Sequence, residues 1–312
     1  MKIPVQEGSF ISTDGAEIFF TARGGGNAAP PVVIVHGIFE TRWKFARVAD
    51  RVARETGRLC VTAEIRGHGK SRADGYTFTT RQFAEDLDAL LTHVGVREKD
   101  GAGQGGCVLC GYSLGAYLCM NYLQEFGFPR IRALALLDWS PKALSDGEWH
   151  MGVMRGAYGS AQLRRDLGWI AEEGTFYAFL ANFIYHSIKM QPRRGYREHP
   201  PLWARTASKY VCENSPSNRE HLKVLWEAFE DADYRPLLAE IAEADVPTLL
   251  VCAVPGTLFV PEAADYMKER IGRCARVVRV GGEGFNGVSH SALPNQRRRL
   301  AKELLAFLAS ID

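Results

Sequence analysis

The spacing of apolar positions changes repeatedly along the chain, and the changes predict alternating strands and helices. Short apolar runs without polar alternation are typical of strands covered on both faces of a sheet. Such runs occupy residues 31–37, 59–65, 107–112, 131–138, 247–254 and 275–282. Because strands that alternate with helices are joined by right-handed crossovers, the pattern predicts an α/β fold with a mostly parallel, twisted sheet flanked by helices.

The helices of this predicted core are recognised by amphipathic spacing. Residues 80–94 carry apolar side chains on one stripe, as a helix packed on a sheet does. Further helices are expected at residues 44–55, 261–271 and 293–309 and after the strand 107–112, ending near residue 126. Residues 10–23 alternate in polarity around Asp14-Gly15, which predicts an N-terminal hairpin.

Residues 139–245 interrupt the alternation and predict an inserted helical cap. The segment has no convincing strand, so the core is expected to comprise residues 1–138 and 246–312. Most of its aromatic residues are expected to form the cap's own core, and those facing the sheet to line an apolar pocket. These aromatic residues are Trp149, Tyr158, Trp169, Phe176, Tyr177, Phe179, Phe183, Tyr185, Trp203, Tyr210 and Trp226.

Composition narrows the class of protein. The 312 residues, of which 46% are hydrophobic and 24% charged, fit one large α/β domain with an insertion. A net charge of +2, without basic clusters interleaved with aromatic residues, predicts no nucleic-acid partner. The seven scattered cysteines predict reduced thiols. With no signal-length apolar N-terminus and no apolar run near about 18 residues, we expect a cytoplasmic protein without a membrane span.

One short motif indicates nucleophilic chemistry. Gly111-Tyr-Ser113-Leu-Gly115 matches G-x-S-x-G and lies between an apolar strand and a predicted helix. Small residues allow the sharp strand-to-helix turn that exposes such a serine above the sheet. The helix N-terminus also directs its amides to the same place. Ser113 is therefore the candidate nucleophile.

A serine hydroxyl needs a base to take its proton. Of the eight histidines, His290 follows the last predicted strand and precedes the last helix, which places it at the carboxyl edge of the sheet. His36 directly follows a central strand and His68 lies in a glycine-rich loop, and both are weaker candidates. We therefore predict that His290 is the base for Ser113.

Charge that develops on a substrate oxygen needs hydrogen-bond donors. The backbone amides of Ile38, after the His36-Gly37 turn, and of Leu114, after Ser113, form a candidate oxyanion hole. Neither H-x-x-x-H nor grouped Cys/His spacing occurs, so no metal is expected, and no organic cofactor is required.

The order of these motifs resembles the α/β-hydrolase superfamily. HG at 36–37, RGHGKS at 66–71, GYSLG at 111–115 and a late histidine follow one another as in that family, over nearly the whole chain outside the predicted cap. The resemblance implies an acid that holds the histidine. Most members take it from a loop where this chain has Thr257, which has no carboxylate.

A subset of the superfamily places the acid at the end of the strand that follows the nucleophile helix. The corresponding residue here is Asp138, so the resemblance implies a triad of Ser113, His290 and Asp138. Glu262 and Asp265 are the fallback acids, although their position suits the first turn of a helix.

The segment LLDWSPK at 136–142 resembles a branch of the α/β-hydrolase superfamily that contains two kinds of enzyme. Serine hydrolases of this kind would act on a small, mostly apolar or aromatic ester, lactone, thioester, amide or C–C substrate. Cofactor-free ring-cleaving dioxygenases of the 3-hydroxy-4-oxoquinoline type would use the His-Asp dyad alone, with Ser113 orienting the substrate. Tyr112, Leu114 and Ile38 depart from the dioxygenase pattern.

A capped serine hydrolase is the leading hypothesis, and the dioxygenase is the alternative. A third hypothesis is a non-catalytic protein that binds a ligand in the same pocket. The expected partner is a small-molecule substrate, and a homodimer stays open.

Overall fold

A single eight-stranded sheet runs through the centre of the computed structural model, which describes residues 3–76, 79–101, 104–188, 200–215, 217–282 and 287–311. The strands are β1 (Val5–Ile11), β2 (Glu17–Arg23), β3 (Val32–Val35), β4 (Cys60–Ala63), β5 (Cys107–Tyr112), β6 (Ile131–Leu137), β7 (Thr248–Val254) and β8 (Ala275–Gly281). Their order in the sheet is β1-β2-β4-β3-β5-β6-β7-β8. β1 and β2 form the predicted antiparallel hairpin, β2 is also antiparallel to β4, and all other neighbours are parallel.

Helices cover both faces of the sheet, which explains the continuous apolar strands. The helices that follow individual strands of the sheet are α1 (Ala46–Thr56), α2 (Thr80–His93), α3 (Leu114–Phe126), α9 (Glu262–Ile271) and, after the last strand, α10 (Arg297–Ile311). In β3 all four residues are buried, and their side chains alternate between two apolar cores, one on each face. Cys107 and Cys110 likewise belong to opposite cores. The predicted α/β fold is confirmed.

The residues between β6 and β7 form the helical part of the molecule. They contain α4 (Ser160–Ala171), α5 (Glu173–Ile188), α6 (Leu202–Asn214), α7 (Arg219–Glu227) and α8 (Leu237–Glu243). Across the described part of residues 139–245 no strand of the sheet occurs. α4 packs on α5 and α7, whereas α8 packs on α9. The division of the chain into a core and a cap at these boundaries stays a prediction.

The last helix begins later than the sequence pattern predicts. Residues His290–Asn295 form a 3₁₀ segment with Pro294 inside it, and α10 starts at Arg297. Proline lacks a backbone N–H and restricts the residue before it, so the α-helix begins only beyond this point. None of the helices among the described residues combines the length and apolar content of a transmembrane span.

Candidate active site

Ser113 lies on a strained turn between β5 and α3. Its backbone has φ 54° and ψ −118°, a sparsely populated combination for a residue with a side chain. The flanking glycines make the turn sterically feasible. A Cβ on Gly111 would lie 2.4 Å from the carbonyl oxygen of Gly115, and one on Gly115 would lie 2.3 Å from that of Val35. The G-x-S-x-G sequence is therefore dictated by the close approach of backbone on both sides of the serine.

The structure brings Ser113, His290 and Asp138 together as the sequence predicts. His290 Nε2 is 2.9 Å from Ser113 Oγ, and His290 Nδ1 is 2.6 Å from Asp138 Oδ2. All three residues are at most 5% exposed. Since Nδ1 faces a carboxylate, the neutral ring carries its proton there, and Nε2 accepts a hydrogen bond from the serine hydroxyl.

Asp138 is held at the end of β6 by its backbone and by its second carboxylate oxygen. Its own amide donates to the carbonyl of Val251 at 2.6 Å, and its Oδ1 accepts from the amide of Ala253 at 2.8 Å. Its φ is 48°, so the chain turns sharply after the strand. The carboxylate is thus fixed by β7 as well as by His290.

The fallback acids lie elsewhere. Glu262 and Asp265 occupy the first turn of α9. Both oxygens of Asp265 accept from Arg279, at 2.5 and 2.6 Å, at an exposed position. Neither carboxylate bonds to His290 among the described contacts, so Asp138 is the acid that the structure places at the ring.

Two side chains that sequence reasoning did not assign support His290. The hydroxyl of Tyr112 donates to the carbonyl of His290 at 2.7 Å, and the two rings stack with centroids 5.0 Å apart. Burial raises the pKa of Tyr112 well above its ordinary value, so this donor keeps its proton. Thr257 Oγ1 accepts from the amide of His290 at 2.8 Å. The residue where most family members carry an acid therefore bonds to the histidine backbone.

The candidate oxyanion amides belong to residues that line the same cavity as Ser113. Ile38 and Leu114 both contact this cavity. In the part of the chain that the structure describes, neither amide donates to a backbone carbonyl. Backbone amides of residues that share a cavity with a candidate nucleophile are the type of donor that stabilises a developing oxyanion.

His36 fixes the loop that carries Ile38. Its Nδ1 donates to the carbonyl of Gly37 at 2.7 Å, and its Nε2 accepts from the amide of Ile65 at 3.1 Å. Burial lowers its pKa to about 4, so the ring is neutral near pH 7. The edge of the buried His68 ring packs on it with centroids 5.5 Å apart, and burial lowers the pKa of His68 to about 3. Both weaker base candidates are thus uncharged rings within the core.

The cavity above Ser113 is almost entirely apolar. It has about 550 Å³ of empty space, including the part open to solvent, and among the residues that the structure describes no charged side chain lines it. Of the aromatic residues that the sequence singled out, Tyr158, Phe183 and Trp226 face this cavity. Phe176 and Phe179 pack in the core instead. The prediction that a minority of these aromatic residues line a pocket is confirmed.

Three polar side chains at the cavity wall, those of Trp226, Tyr158 and Tyr117, are already hydrogen-bonded within the protein. Trp226 Nε1 donates to the hydroxyl of Tyr158 at 3.0 Å, and that hydroxyl donates to Asp166 Oδ2 at 2.6 Å. The hydroxyl of Tyr117 donates to the carbonyl of Ala228 at 2.8 Å. The wall therefore presents hydrocarbon and ring surfaces to a ligand.

No metal centre is formed by the side chains that the structure describes, where groups of three or more His, Cys, Asp or Glu suited to an ion do not occur. Burial raises the pKa of Cys107 and Cys110 to about 12, so these thiols are protonated near pH 7.

A serine on a strained strand-to-helix turn, facing a histidine and an aspartate that follow later strands, is typical of the α/β-hydrolase class. Comparison with known families agrees with the fold. The profile described as alpha/beta hydrolase fold matches residues 30–289, and the chain belongs to this family.

Individual relatives are similar to parts of the chain or to its fold. The sn-1-specific diacylglycerol lipase ABHD11 of Xenopus laevis is 29% identical over 132 residues, which are 42% of this chain and 38% of that protein. The non-heme chloroperoxidase CPO-A1 of Kitasatospora aureofaciens is 32% identical over 135 residues, 42% of this chain and 43% of that protein. The chain therefore spans less than half the length of either relative.

Among solved structures, the esterase EaEST from Exiguobacterium antarcticum has a TM-score of 0.72 and 19% sequence identity. The match covers 96% of this chain and 98% of that one. At this identity the likeness concerns the fold.

Proposed function

We propose that the protein is a serine hydrolase that cleaves small, neutral esters with apolar acyl groups. One observation carries the proposal. The line from Ser113 Oγ through His290 to Asp138 has distances of 2.9 and 2.6 Å, and Ser113 lines the apolar cavity. Such a line activates a hydroxyl that is otherwise a weak nucleophile.

In the acylation step, Ser113 Oγ attacks the ester carbonyl carbon while His290 Nε2 takes the hydroxyl proton. The carbonyl π electrons move to the oxygen, where the amides of Ile38 and Leu114 stabilise the negative charge. The tetrahedral intermediate collapses, the bond to the leaving alcohol breaks, and His290 returns the proton to that alcohol. The product is an acyl group bound to Ser113.

In the deacylation step, a water molecule takes the place of the alcohol. His290 removes a proton from the water, whose oxygen attacks the acyl carbonyl. When the second intermediate collapses, Ser113 Oγ leaves and recovers its proton from the imidazolium, and a carboxylic acid is released. Asp138 keeps the ring oriented and stabilises its cation in both steps.

The cavity wall supports a neutral, apolar acyl group. A charged substituent would lose its hydration without gaining a partner, which is costly in an apolar site. One relative is a lipase and one structural neighbour is an esterase, which supports ester chemistry, whereas CPO-A1 is a chloroperoxidase. These similarities do not favour the ring-cleaving dioxygenase.

The test uses p-nitrophenyl esters from acetate to octanoate, together with a fluorophosphonate that labels reactive serines. We expect Ser113→Ala to lower turnover by about 10⁴-fold and to abolish labelling. Ser140→Ala is the matched control, because Ser140 is buried and lines the same cavity. A wild-type protein that is neither labelled nor active on any ester contradicts the proposal.

The same variants separate the other hypotheses. A hydroxyquinolone consumed only with oxygen, at a rate that Ser113→Ala largely retains, would indicate the dioxygenase. Binding of esters without turnover or labelling would indicate a non-catalytic binding protein.

A further inference from the structure

Thr257 connects two parts of the molecule through one hydroxyl group. The residue follows β7 and is 4% exposed. Its Oγ1 accepts a hydrogen bond from the amide of His290 at 2.8 Å and donates one to the carbonyl of Ser187 at 2.7 Å. Both contacts join residues that are distant in sequence, one of them the histidine beside Ser113.

The Ser187 end of this connection lies in the last turn of α5. Carbonyl groups there have no partner within the helix, so the threonine hydroxyl satisfies one of them. A second contact runs beside it, where Ser291 Oγ donates to Ser187 Oγ at 2.9 Å. Phe183, one turn earlier on α5, lines the cavity above Ser113. The helix that forms part of the cavity wall is thus bonded to the histidine loop.

The loop that carries Thr257 is itself held in place from the other side. Arg155 Nη1 donates to the carbonyl of Pro255 at 2.8 Å, and the amide of Arg155 donates to the carbonyl of Leu258 at 2.9 Å. Leu258 and Phe259 then contact the cavity. Because the loop is fixed at both ends, the hydroxyl of Thr257 has a defined position from which to hold the backbone of His290.

We propose that Thr257 is a positioning residue for His290. Through its two hydrogen bonds it couples the packing of α5 on the core to the position of the imidazole. The inference rests on the proposed hydrolase function. Without the hydroxyl, the amide of His290 and the carbonyl of Ser187 are both buried without this partner, and the histidine loop shifts to reach others. A displacement of about 1 Å at a reacting group can cost about 100-fold in rate.

The experiment compares three variants by ester turnover, fluorophosphonate labelling and thermal melting. Thr257→Val keeps the branched shape and removes the hydroxyl, whereas Thr257→Ser keeps the hydroxyl. Thr248→Val is the matched control, because Thr248 is a buried residue at the start of β7, the strand that precedes Thr257. Its hydroxyl also donates to a backbone carbonyl, that of Val246 at 2.9 Å.

We expect Thr257→Val to lower kcat and the labelling rate by at least about tenfold with little change in KM, and Thr257→Ser to stay within about threefold of wild type. Thr248→Val should lower the melting temperature similarly but leave kcat within about threefold. Equal kcat in the two valine variants, or no rescue by serine, overturns the role of Thr257 while the hydrolase function stands. A wild-type protein without labelling and turnover overturns both.

Discussion

Ser113 and Asp138 directly follow Tyr112 and Leu137, which are register partners on the neighbouring parallel strands β5 and β6. The amide of Ser113 donates to the carbonyl of Leu137 at 3.0 Å. Both residues leave their strands with positive φ, 54° and 48°. A single strand register therefore sets the distance between the proposed nucleophile and the proposed acid.

Replacing the acid tests whether this arrangement works as a triad. Asp138→Asn keeps the size of the side chain but favours the wrong ring tautomer of His290, so we expect kcat to fall by about 10⁴-fold. Asp265→Asn, at the exposed ion pair with Arg279, should leave kcat within about threefold. Similar kinetics for the two variants on a p-nitrophenyl ester would contradict the assignment of Asp138.

The turn around Ser113 predicts that a side chain at position 115 destabilises the fold, independently of any effect on the reaction. A Cβ on Gly115 meets the carbonyl oxygens of Val35 and His36 at 2.3 and 2.6 Å, and backbone cannot move aside cheaply. We expect Gly115→Ala to lower the free energy of unfolding by about 2 kcal/mol or more. Gly174→Ala, in α5 with open space around it, should be neutral or slightly stabilising. Urea unfolding of both variants measures the difference.

The buried histidines predict a loss of stability in mild acid. The folded-state pKa values of His36 and His68 lie at about 4 and 3, below the ordinary value of about 6.5. Below about pH 6.5 the unfolded chain therefore binds protons that the folded chain does not, and the free energy of unfolding falls as the pH drops toward 4.

Urea titrations between pH 7 and 4.5 test this dependence. His68→Gln should flatten it relative to wild type, because a buried ring with a strongly lowered pKa no longer titrates. His150→Gln, at an exposed position, should leave the slope unchanged. Equal slopes in all three proteins would show that the buried rings do not contribute.

The cavity wall predicts acyl-chain selectivity. Phe183 lines the cavity, so Phe183→Leu should enlarge it and shift the preferred p-nitrophenyl ester toward longer chains, by about tenfold in relative kcat/KM. Phe179→Leu is the control, because Phe179 is fully buried and packs on Trp226 without lining the cavity. An unchanged chain-length profile in Phe183→Leu would mean that the acyl group binds elsewhere.

The parts of this structure that the sequence predicts are those with local causes. The spacing of apolar residues and the positions of glycines predict the buried strands, the turn at Ser113 and the hairpin at Asp14-Gly15. In each of these cases the signal lies within a few residues of the feature. Asp138, by contrast, is identified through the resemblance to the α/β-hydrolase superfamily, a subset of which takes the acid from the end of this strand.

The parts that were missed depend on contacts between distant segments. The bond from Tyr112 to the carbonyl of His290 spans 178 residues, and that from Thr257 to its amide spans 33. Neither side chain carries a sequence mark of its partner. The sequence marks Thr257 only by the carboxylate it lacks. The predicted start of the last helix at residue 293 is too early, because residues 290–295 form a 3₁₀ segment that contains Pro294.

The position of His290 in the chain affects when catalytic activity appears during folding. Two members of the proposed triad are set once β5 and β6 pair, whereas the third comes from a segment more than 150 residues later, and such distant closures are slow to form. During refolding, hydrogen-exchange protection of the central strands should consequently precede recovery of catalysis. The time at which catalytic activity recovers therefore reports when the C-terminal segment that carries His290 has packed onto the sheet.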